Sequence, residues 1–261
     1  MVNINTCIVD DIQMDYIKFG NGKKIMVILP GLSIDYVLKY KDLIENAYSI
    51  FKDDFTVYLF DKKKNINGKY SIDSMAEDIY KVLMKLNLNN IYLFSTSLGT
   101  MISVKLALKH GETINKMALG STTLNGIGNS IINKWINYAK DNKINDLCDS
   151  FFKDVYPLKI YENSKEIIKN LANSINENDI NRFIILANSI NDYNVEKEIN
   201  NLKVKTLIIN DKTDVLFDYK DLLKIKYNDN IKVNIIDGYG HAAYDIYEDY
   251  RKILLNYFIN N

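Results

Sequence analysis

The sequence predicts an α/β protein with a mostly parallel, twisted sheet and helices on both faces. Short apolar runs rich in β-branched residues alternate with longer segments of helical spacing. Runs without polar alternation are typical of strands buried on both faces, and strands that alternate with helices favour a parallel sheet. The predicted strands are residues 25–29, 55–60, 91–94, 117–119, 206–209 and 231–236.

One helix is especially well defined by its pattern. Residues 71–86 place seven apolar side chains on one stripe, at the spacing of an amphipathic helix. Ser71 and Ser74 suit its first turn, because a serine side chain can accept a hydrogen bond from a free backbone N–H. The segment is therefore predicted to cover the sheet.

The alternation of strands and helices stops at residues 125–201, which contain several amphipathic helical stripes and no convincing strand. We interpret this segment as a helical cap, inserted before the penultimate strand. Residues 1–124 and 202–261 then form the core domain. The cap is rich in apolar and aromatic residues, and Trp135 and Phe183 are its candidates for lining a substrate pocket.

Composition excludes several classes of function. The 33 Lys and Arg residues balance the 33 Asp and Glu residues, so the chain lacks the basic excess of most nucleic-acid-binding proteins and of polybasic membrane-surface proteins. No apolar run is long enough for a membrane span, and the first twenty residues do not resemble a signal peptide. Cys7 and Cys148 are expected to be reduced thiols, which favours a cytoplasmic location.

The sequence IYLFSTSLG at residues 91–99 carries the strongest chemical signal. A buried strand runs directly into a serine, and a helix follows at 101–109. A sharp strand-to-helix turn is strained and needs small neighbours, which Ser95 and Gly99 provide. The pattern favours Ser97 as a nucleophile, although an ordinary turn with a capping serine has the same residue types.

At these residues the chain resembles the α/β-hydrolase family, whose turn is usually written GxSxG. Ser95 replaces the first glycine here. The resemblance covers residues 24 to the end and implies a serine hydrolase with a helical cap, of the esterase or prolyl-iminopeptidase-like branch.

The family's second motif matches Leu29-Pro30-Gly31-Leu32-Ser33, which follows the first predicted parallel strand. The resemblance implies that the backbone N–H groups of Leu32 and Leu98 form an oxyanion hole. It also places Ser33 and Tyr36 in the substrate pocket.

Two further loops complete the resemblance. Asp214 in NDKTD matches the aspartate of the family's GxxD segment, with Asp211 as a rival carboxylate, and His241 in DGYGH matches the family's histidine. The order serine, aspartate, histidine is the one this fold uses. Asp237 is expected to bond loop amides instead.

Two other charged features have structural explanations. His110 ends the helix after the serine, where a histidine interacts favourably with the helix dipole. The run Asp61-Lys62-Lys63-Lys64 is predicted to be a solvated loop.

The resulting hypothesis is hydrolysis of a small or apolar carboxylic ester through Ser97, His241 and Asp214. A thioesterase, an acyltransferase or an aminopeptidase would use the same residues, and a non-catalytic ligand-binding protein on this scaffold is the alternative of another class. The substrate is a small molecule, and the hypothesis requires neither a metal ion nor an organic cofactor. The sequence leaves the oligomeric state open.

Overall fold

The computed structural model describes residues 2–260, which form one eight-stranded sheet flanked by helices. The strands are β1 (Ile4–Val9), β2 (Ile12–Phe19), β3 (Lys24–Leu29), β4 (Phe55–Phe60), β5 (Ile91–Thr96), β6 (Ile114–Gly120), β7 (Lys205–Asp211) and β8 (Ile231–Ile236).

The sheet is mostly parallel, as the sequence predicts. Its order is β1-β2-β4-β3-β5-β6-β7-β8. Every neighbouring pair in the series β4-β3-β5-β6-β7-β8 is parallel, whereas the pairs β1–β2 and β2–β4 are antiparallel. Strands β1 and β2 are absent from the sequence-based prediction. Strand β1 is an edge strand in which Cys7 is the one fully buried residue, so it lacks the continuous apolar run of a buried strand.

Eleven α-helices accompany the sheet within the described residues. They are α1 (Lys41–Ala47), α2 (Ile72–Lys85), α3 (Leu98–His110), α4 (Ser130–Lys140), α5 (Ile144–Val155), α6 (Leu158–Asn163), α7 (Lys165–Ser174), α8 (Glu177–Ile190), α9 (Tyr219–Leu223), α10 (Ala243–Ile246) and α11 (Tyr250–Ile259). The predicted helix at 71–86 is α2, and Ser71 caps it by accepting a hydrogen bond from the Ser74 N–H at 3.1 Å.

Helices cover both faces of the sheet. Successive residues of a strand point to opposite faces. Val27 of β3 packs in one apolar cluster with residues of α2 and α3, whereas Met26 and Ile28 pack in a second cluster with Leu254 of α11. The sheet is therefore buried on both sides, which explains the unbroken apolar runs of its strands.

Helices α4–α8, here called the cap helices, lie between β6 and β7. They form the helical insertion that the sequence predicts before the penultimate strand. The exact division into core and cap domains stays a prediction.

Because β3 to β8 run parallel, their carboxyl ends lie at one edge of the sheet, here called the carboxyl edge. In open sheets of this type, ligands bind in the crevice beyond that edge. The loops after β3, β5, β7 and β8 carry the predicted site residues, so the topology gathers them in one region.

Candidate active site

Ser97 occupies a strained turn between β5 and α3. Its backbone has φ 50° and ψ −122°, in a region that side-chain-bearing residues rarely adopt. The Ser97 N–H donates to the Gly120 carbonyl of the neighbouring strand at 3.0 Å. This bond and the packing of α3 hold the turn in place, so the strain is imposed by the surrounding structure.

Gly99 is required by the close approach of α3 to the neighbouring strand. A Cβ at this position would lie 2.1 Å from the Leu29 carbonyl oxygen. Ser95, the other small residue of the motif, is fully buried. Both observations explain why the turn tolerates only small residues on either side of the serine.

His241 and Asp214 form a buried hydrogen-bonded pair. The distance from His241 Nδ1 to Asp214 Oδ2 is 2.8 Å, and the residues are 2% and 6% exposed. The other carboxylate oxygen, Oδ1, accepts hydrogen bonds from the Leu216 and Phe217 amides at 2.8 and 3.2 Å. Loop amides thus orient the carboxylate, which in turn orients the imidazole.

Ser121 connects the histidine to the serine turn. Its Oγ donates to the His241 carbonyl at 2.6 Å, and it directly follows Gly120, which accepts the Ser97 amide. Ser121 is fully buried and has a positive φ of 51°. The sequence alone does not identify this residue, because its partner is 120 positions away and no local motif marks it.

The rival carboxylates have other partners. Asp211 Oδ1 accepts from the Thr213 N–H at 2.7 Å, and Oδ2 accepts from the Tyr239 N–H at 2.9 Å. Asp211 therefore ties the loop after β7 to the loop after β8. Asp237 is exposed and pairs with Lys212 at 3.2 Å. Contrary to the sequence-based expectation, Asp237 pairs with a lysine, and Asp211 is the carboxylate that bonds amides of both loops.

The two backbone amides predicted to form an oxyanion hole belong to Leu32 and Leu98. Within residues 2–260, neither the Leu32 N–H nor the Leu98 N–H donates a hydrogen bond to a protein acceptor. Leu98 is the first residue of α3, where backbone N–H groups have no partner within the helix. The loop before Leu32 touches the serine turn, because a Cβ on Gly31 would lie 3.0 Å from Ser97 Cβ.

The four predicted pocket residues all have protein partners. Ser33 Oγ donates to Asp35 at 3.2 Å, and the Tyr36 hydroxyl donates to Asp15 at 2.5 Å. Burial, followed by the bond to Asp15, raises the pKa of Tyr36. Trp135 and Phe183 are 1% and 0% exposed. Their role in lining a pocket stays a prediction.

The loop after β4 differs from the sequence-based prediction. Asp61 and Lys62 are 3% and 7% exposed, so the expectation of a solvated loop is wrong for both. The Lys62 ammonium donates to the Pro30 and Gly31 carbonyls, and Arg182 of α8 pairs with Asp61. Burial lowers the pKa of Lys62 to about 8, although Asp61 opposes the shift. Charge runs usually face water, and no local pattern marks this exception.

His110 lies at the far end of α3 from Ser97, as predicted for a residue of the last turn. Its ring stacks on Tyr80 with centroids 3.6 Å apart, and Nε2 lies 3.2 Å from Glu77. Its partners belong to α2 and lie outside the group of site residues.

Membrane-spanning helices and metal-binding clusters are both absent from the described part of the chain. None of the helices between residues 2 and 260 combines the length and apolar character that a membrane crossing requires. Among the same residues, no group of three or more His, Cys, Asp or Glu side chains is arranged to hold a metal ion.

Solved structures with the same architecture include several hydrolases. An alpha/beta hydrolase, MGS-M2, from a Medee basin deep-sea metagenome library is 20% identical with a TM-score of 0.87, and the match covers 98% of each chain. The enol-lactonase of Burkholderia xenovorans LB400 is 16% identical with a TM-score of 0.81, over 97% of this chain and 99% of that one. An esterase from Thermogutta terrifontis is 15% identical with a TM-score of 0.77, over 99% and 98%. At these identities the likeness shows the fold alone.

Sequence comparison establishes the family. No curated protein matches the chain at a significant level. The model of the alpha/beta hydrolase fold family, however, matches residues 24–246, which is most of the chain and includes every motif that suggested the resemblance. The chain therefore belongs to the α/β-hydrolase family.

Proposed function

We propose that the protein is a serine hydrolase that cleaves a small or apolar carboxylic ester through Ser97, His241 and Asp214. The observation that carries this proposal is the buried pair of His241 and Asp214, with 2.8 Å between Nδ1 and Oδ2. The pair lies at the edge of the sheet that also presents Ser97. A binding protein without catalysis would have no need of an imidazole oriented in this way.

The proposed reaction is acyl transfer to water. Ser97 Oγ attacks the ester carbonyl carbon while His241 Nε2 takes the hydroxyl proton. The alcohol then leaves with a proton from the imidazolium, and an acyl-enzyme remains. Water, deprotonated by His241, attacks the acyl group and releases the carboxylic acid and free Ser97. Asp214 holds the imidazole with Nδ1 protonated and stabilises the imidazolium in both halves.

The unpaired amides of Leu32 and Leu98 suit the tetrahedral intermediates. Negative charge develops on the carbonyl oxygen in each half-reaction, and fixed N–H donors stabilise it. The Leu98 amide lies at the amino end of α3, where the helix dipole adds a favourable field. Losing one such donor typically costs about 3–4 kcal/mol of activation free energy.

Two observations support an ester as the substrate class. The cap helices bury mainly apolar side chains, which favours an apolar acyl or alcohol group. Two similar structures are named an enol-lactonase and an esterase. We also propose that residues 125–201 act as the cap over a core of residues 1–124 and 202–261, in a cytoplasmic protein.

A fluorophosphonate probe tests the proposal. The probe should label the wild type on Ser97, as read by peptide mass spectrometry, and should not label Ser97→Ala. Ser95→Ala is the matched control, since its hydroxyl is two residues away and fully buried. Undiminished labelling of Ser97→Ala would contradict the assignment.

A substrate panel separates the related activities. We expect p-nitrophenyl esters of different chain length to give a higher kcat/KM than acyl-CoA thioesters or aminoacyl amides. A preference for thioesters or for amides would replace the ester proposal while keeping the same residues. Probe labelling without turnover of any class would favour a ligand-binding protein.

A further inference from the structure

The turn that carries Leu32 is held by polar contacts at nearly every backbone group. The Pro30 carbonyl accepts from Lys62 Nζ at 2.7 Å, and the Gly31 N–H of the same peptide donates to Thr96 Oγ1 at 3.1 Å. The Gly31 carbonyl accepts from the same Lys62 ammonium at 2.5 Å. The Pro30–Gly31 and Gly31–Leu32 peptides together have two carbonyls and two N–H groups. Among the described residues, only the Leu32 N–H of these four groups has no protein partner.

These contacts determine where the Leu32 N–H points. In a trans peptide the C=O and N–H bonds are antiparallel, and no peptide bond among the described residues is cis. Both carbonyls converge on Lys62, so both N–H groups point away from it. The Gly31 N–H reaches Thr96, the residue before Ser97. The Leu32 N–H therefore points away from Lys62, and the turn that carries it packs against Thr96 and Ser97.

Lys62 is itself fixed by its surroundings. It is 7% exposed and follows Asp61, whose Oδ1 accepts from the Lys62 backbone N–H at 2.8 Å. Arg182 of α8 donates to the Lys62 carbonyl at 3.1 Å and lies 3.2 Å from the same Asp61 oxygen. A buried ammonium is expensive unless it is fully bonded, so its retention here needs an explanation.

We propose that Lys62 is a positioning residue for the oxyanion hole: it holds the Pro30 and Gly31 carbonyls so that the Leu32 amide stays aimed at the reacting oxygen. The proposal rests on the proposed function of Ser97 and Leu32. In this arrangement the ammonium bonds the two backbone carbonyls and not Ser97. It acts by orienting a donor, and its effect should appear in the transition state more than in the ground state.

The test compares Lys62→Met with Lys63→Met in ester hydrolysis. Methionine keeps the length and apolar stem of lysine and removes the donors. Lys63 is the matched control, because it is the adjacent lysine but pairs with Asp78 at 3.1 Å rather than with the turn. With rates normalised to active sites titrated by a fluorophosphonate, Lys62→Met should lower kcat about 10- to 100-fold, at most the loss from deleting one oxyanion donor. KM should change less than threefold, and Lys63→Met should stay within twofold.

A trifluoromethyl ketone with the acyl chain of the substrate gives a second readout. Ser97 adds to this ketone and forms a tetrahedral oxyanion, so its Ki should weaken in Lys62→Met by the same factor as kcat/KM. A purely structural role would instead lower the thermal midpoint and the number of titratable sites, with kcat per site and Ki unchanged. That outcome would overturn the proposal.

Two further variants keep the test decisive. If Lys62→Met does not fold, Lys62→Gln takes its place, because its shorter amide cannot hold both carbonyls, and we expect at least a threefold loss in kcat and in ketone affinity. Unchanged values in a folded Lys62→Gln would refute the positioning role. Ser97→Ala distinguishes failure of the proposed function from failure of the positioning role alone. If this variant keeps ester hydrolysis, the proposed function is wrong and this inference is wrong with it.

Discussion

The carboxyl edge of the sheet and the cap helices bury different kinds of side chain. At the edge, the buried residues include Ser97, Asp211, Asp214 and His241. The three ionisable ones all have polar partners, as burial of such groups requires. In the cap helices the fully buried residues are almost all apolar, with Ser189 as an exception.

Under the proposed function, this difference suits the two regions to different tasks. Polar groups that are fixed by several bonds are suited to chemistry, because they need little rearrangement when charge develops. An apolar helical layer supplies shape and excludes water. Arg182 joins the two regions, since it reaches from α8 to Asp61 and the Lys62 carbonyl. The comparison predicts large kinetic effects at the edge, stability effects in the cap, and mixed effects at the junction.

The largest expected effect comes from Asp214→Asn. Its Oδ1 can still accept from the Leu216 and Phe217 amides, so the loop should keep its shape. The amide nitrogen then faces His241 Nδ1 and favours the wrong tautomer. In a serine protease with the same three catalytic residue types, this replacement lowers kcat by about 10⁴. We expect a loss of this order in steady-state hydrolysis, with a nearly unchanged thermal midpoint.

Asp211→Asn and Asp237→Asn are the controls for that experiment. Asp211 bonds the Thr213 and Tyr239 amides rather than the histidine, and Asp237 is exposed. Each variant should stay within about tenfold of the wild type, which corresponds to about 1.4 kcal/mol in the barrier. If Asp211→Asn lost activity while Asp214→Asn remained active, Asp211 would be the aspartate that orients the histidine.

A cap variant, Trp135→Ala, should affect stability instead. The ring centroids of Trp135 and Phe151 lie 4.7 Å apart, and the indole Nε1–H donates to Asp154 at 2.9 Å. Removing a buried aromatic side chain typically costs about 3–5 kcal/mol. We expect this loss in denaturant unfolding, with little change in the ratio of kcat/KM for short and long esters. A changed ratio in a folded variant would instead support the pocket role predicted from the sequence.

At the junction, the stability of the wild type relative to Lys62→Met should depend on pH. Burial lowers the pKa of Lys62 from 10.5 to about 8, with Arg182 adding to the shift and Asp61 opposing it. Between these two values the unfolded chain binds more protons than the folded one, so stability rises with pH. Below pH 8 the cost of the buried ammonium is present in full, and it is relieved as the pH approaches 10.5.

The shift corresponds to about 3 kcal/mol over that window. The measurement is urea unfolding of both proteins at several pH values, and taking the difference removes the contributions of other titrating groups. Lys63→Met is measured in the same series as the control for losing a lysine at the adjacent position, because Lys63 pairs with Asp78 rather than with the Pro30–Gly31 carbonyls. A flat difference for Lys62→Met would mean that the ammonium is solvated in the folded state.

Much of the fold is predictable from local pattern. Strands β3, β5, β6 and β7 contain continuous runs of buried apolar residues, and α2 has a clear stripe and a serine cap. Strand β1 escaped prediction because it has no such run, and Cys7 is its one fully buried residue. Its pairing with β2 is a tertiary property that single-strand patterns do not carry.

The residues of the candidate site also differ in how far local sequence predicts them. Ser97, Asp214 and His241 each follow a strand within a few residues, so strand position and motif are enough to propose them. Lys62 and Ser121 act on carbonyls that lie 31 and 120 positions away, and their local sequences look like a solvated loop and an ordinary turn. Residues whose roles depend on distant backbone groups require the folded structure.

The smallest expected effect is that of His110→Gln, which tests whether α3 separates the two histidines functionally. The helix runs for 13 residues from Leu98 to His110, which places its ends about 20 Å apart at the usual rise per residue. His110 interacts with Glu77 and Tyr80 of α2, and glutamine can keep a hydrogen bond to Glu77 but not the ring stacking. We expect kcat to stay within twofold and the free energy of unfolding to fall by at most about 1 kcal/mol, the range of partly exposed polar pairs.

The matched variant His241→Gln should lose several orders of magnitude in kcat under the same assay. If His110→Gln proved as inactive as His241→Gln while remaining folded, the chemistry would not be confined to the carboxyl edge of the sheet.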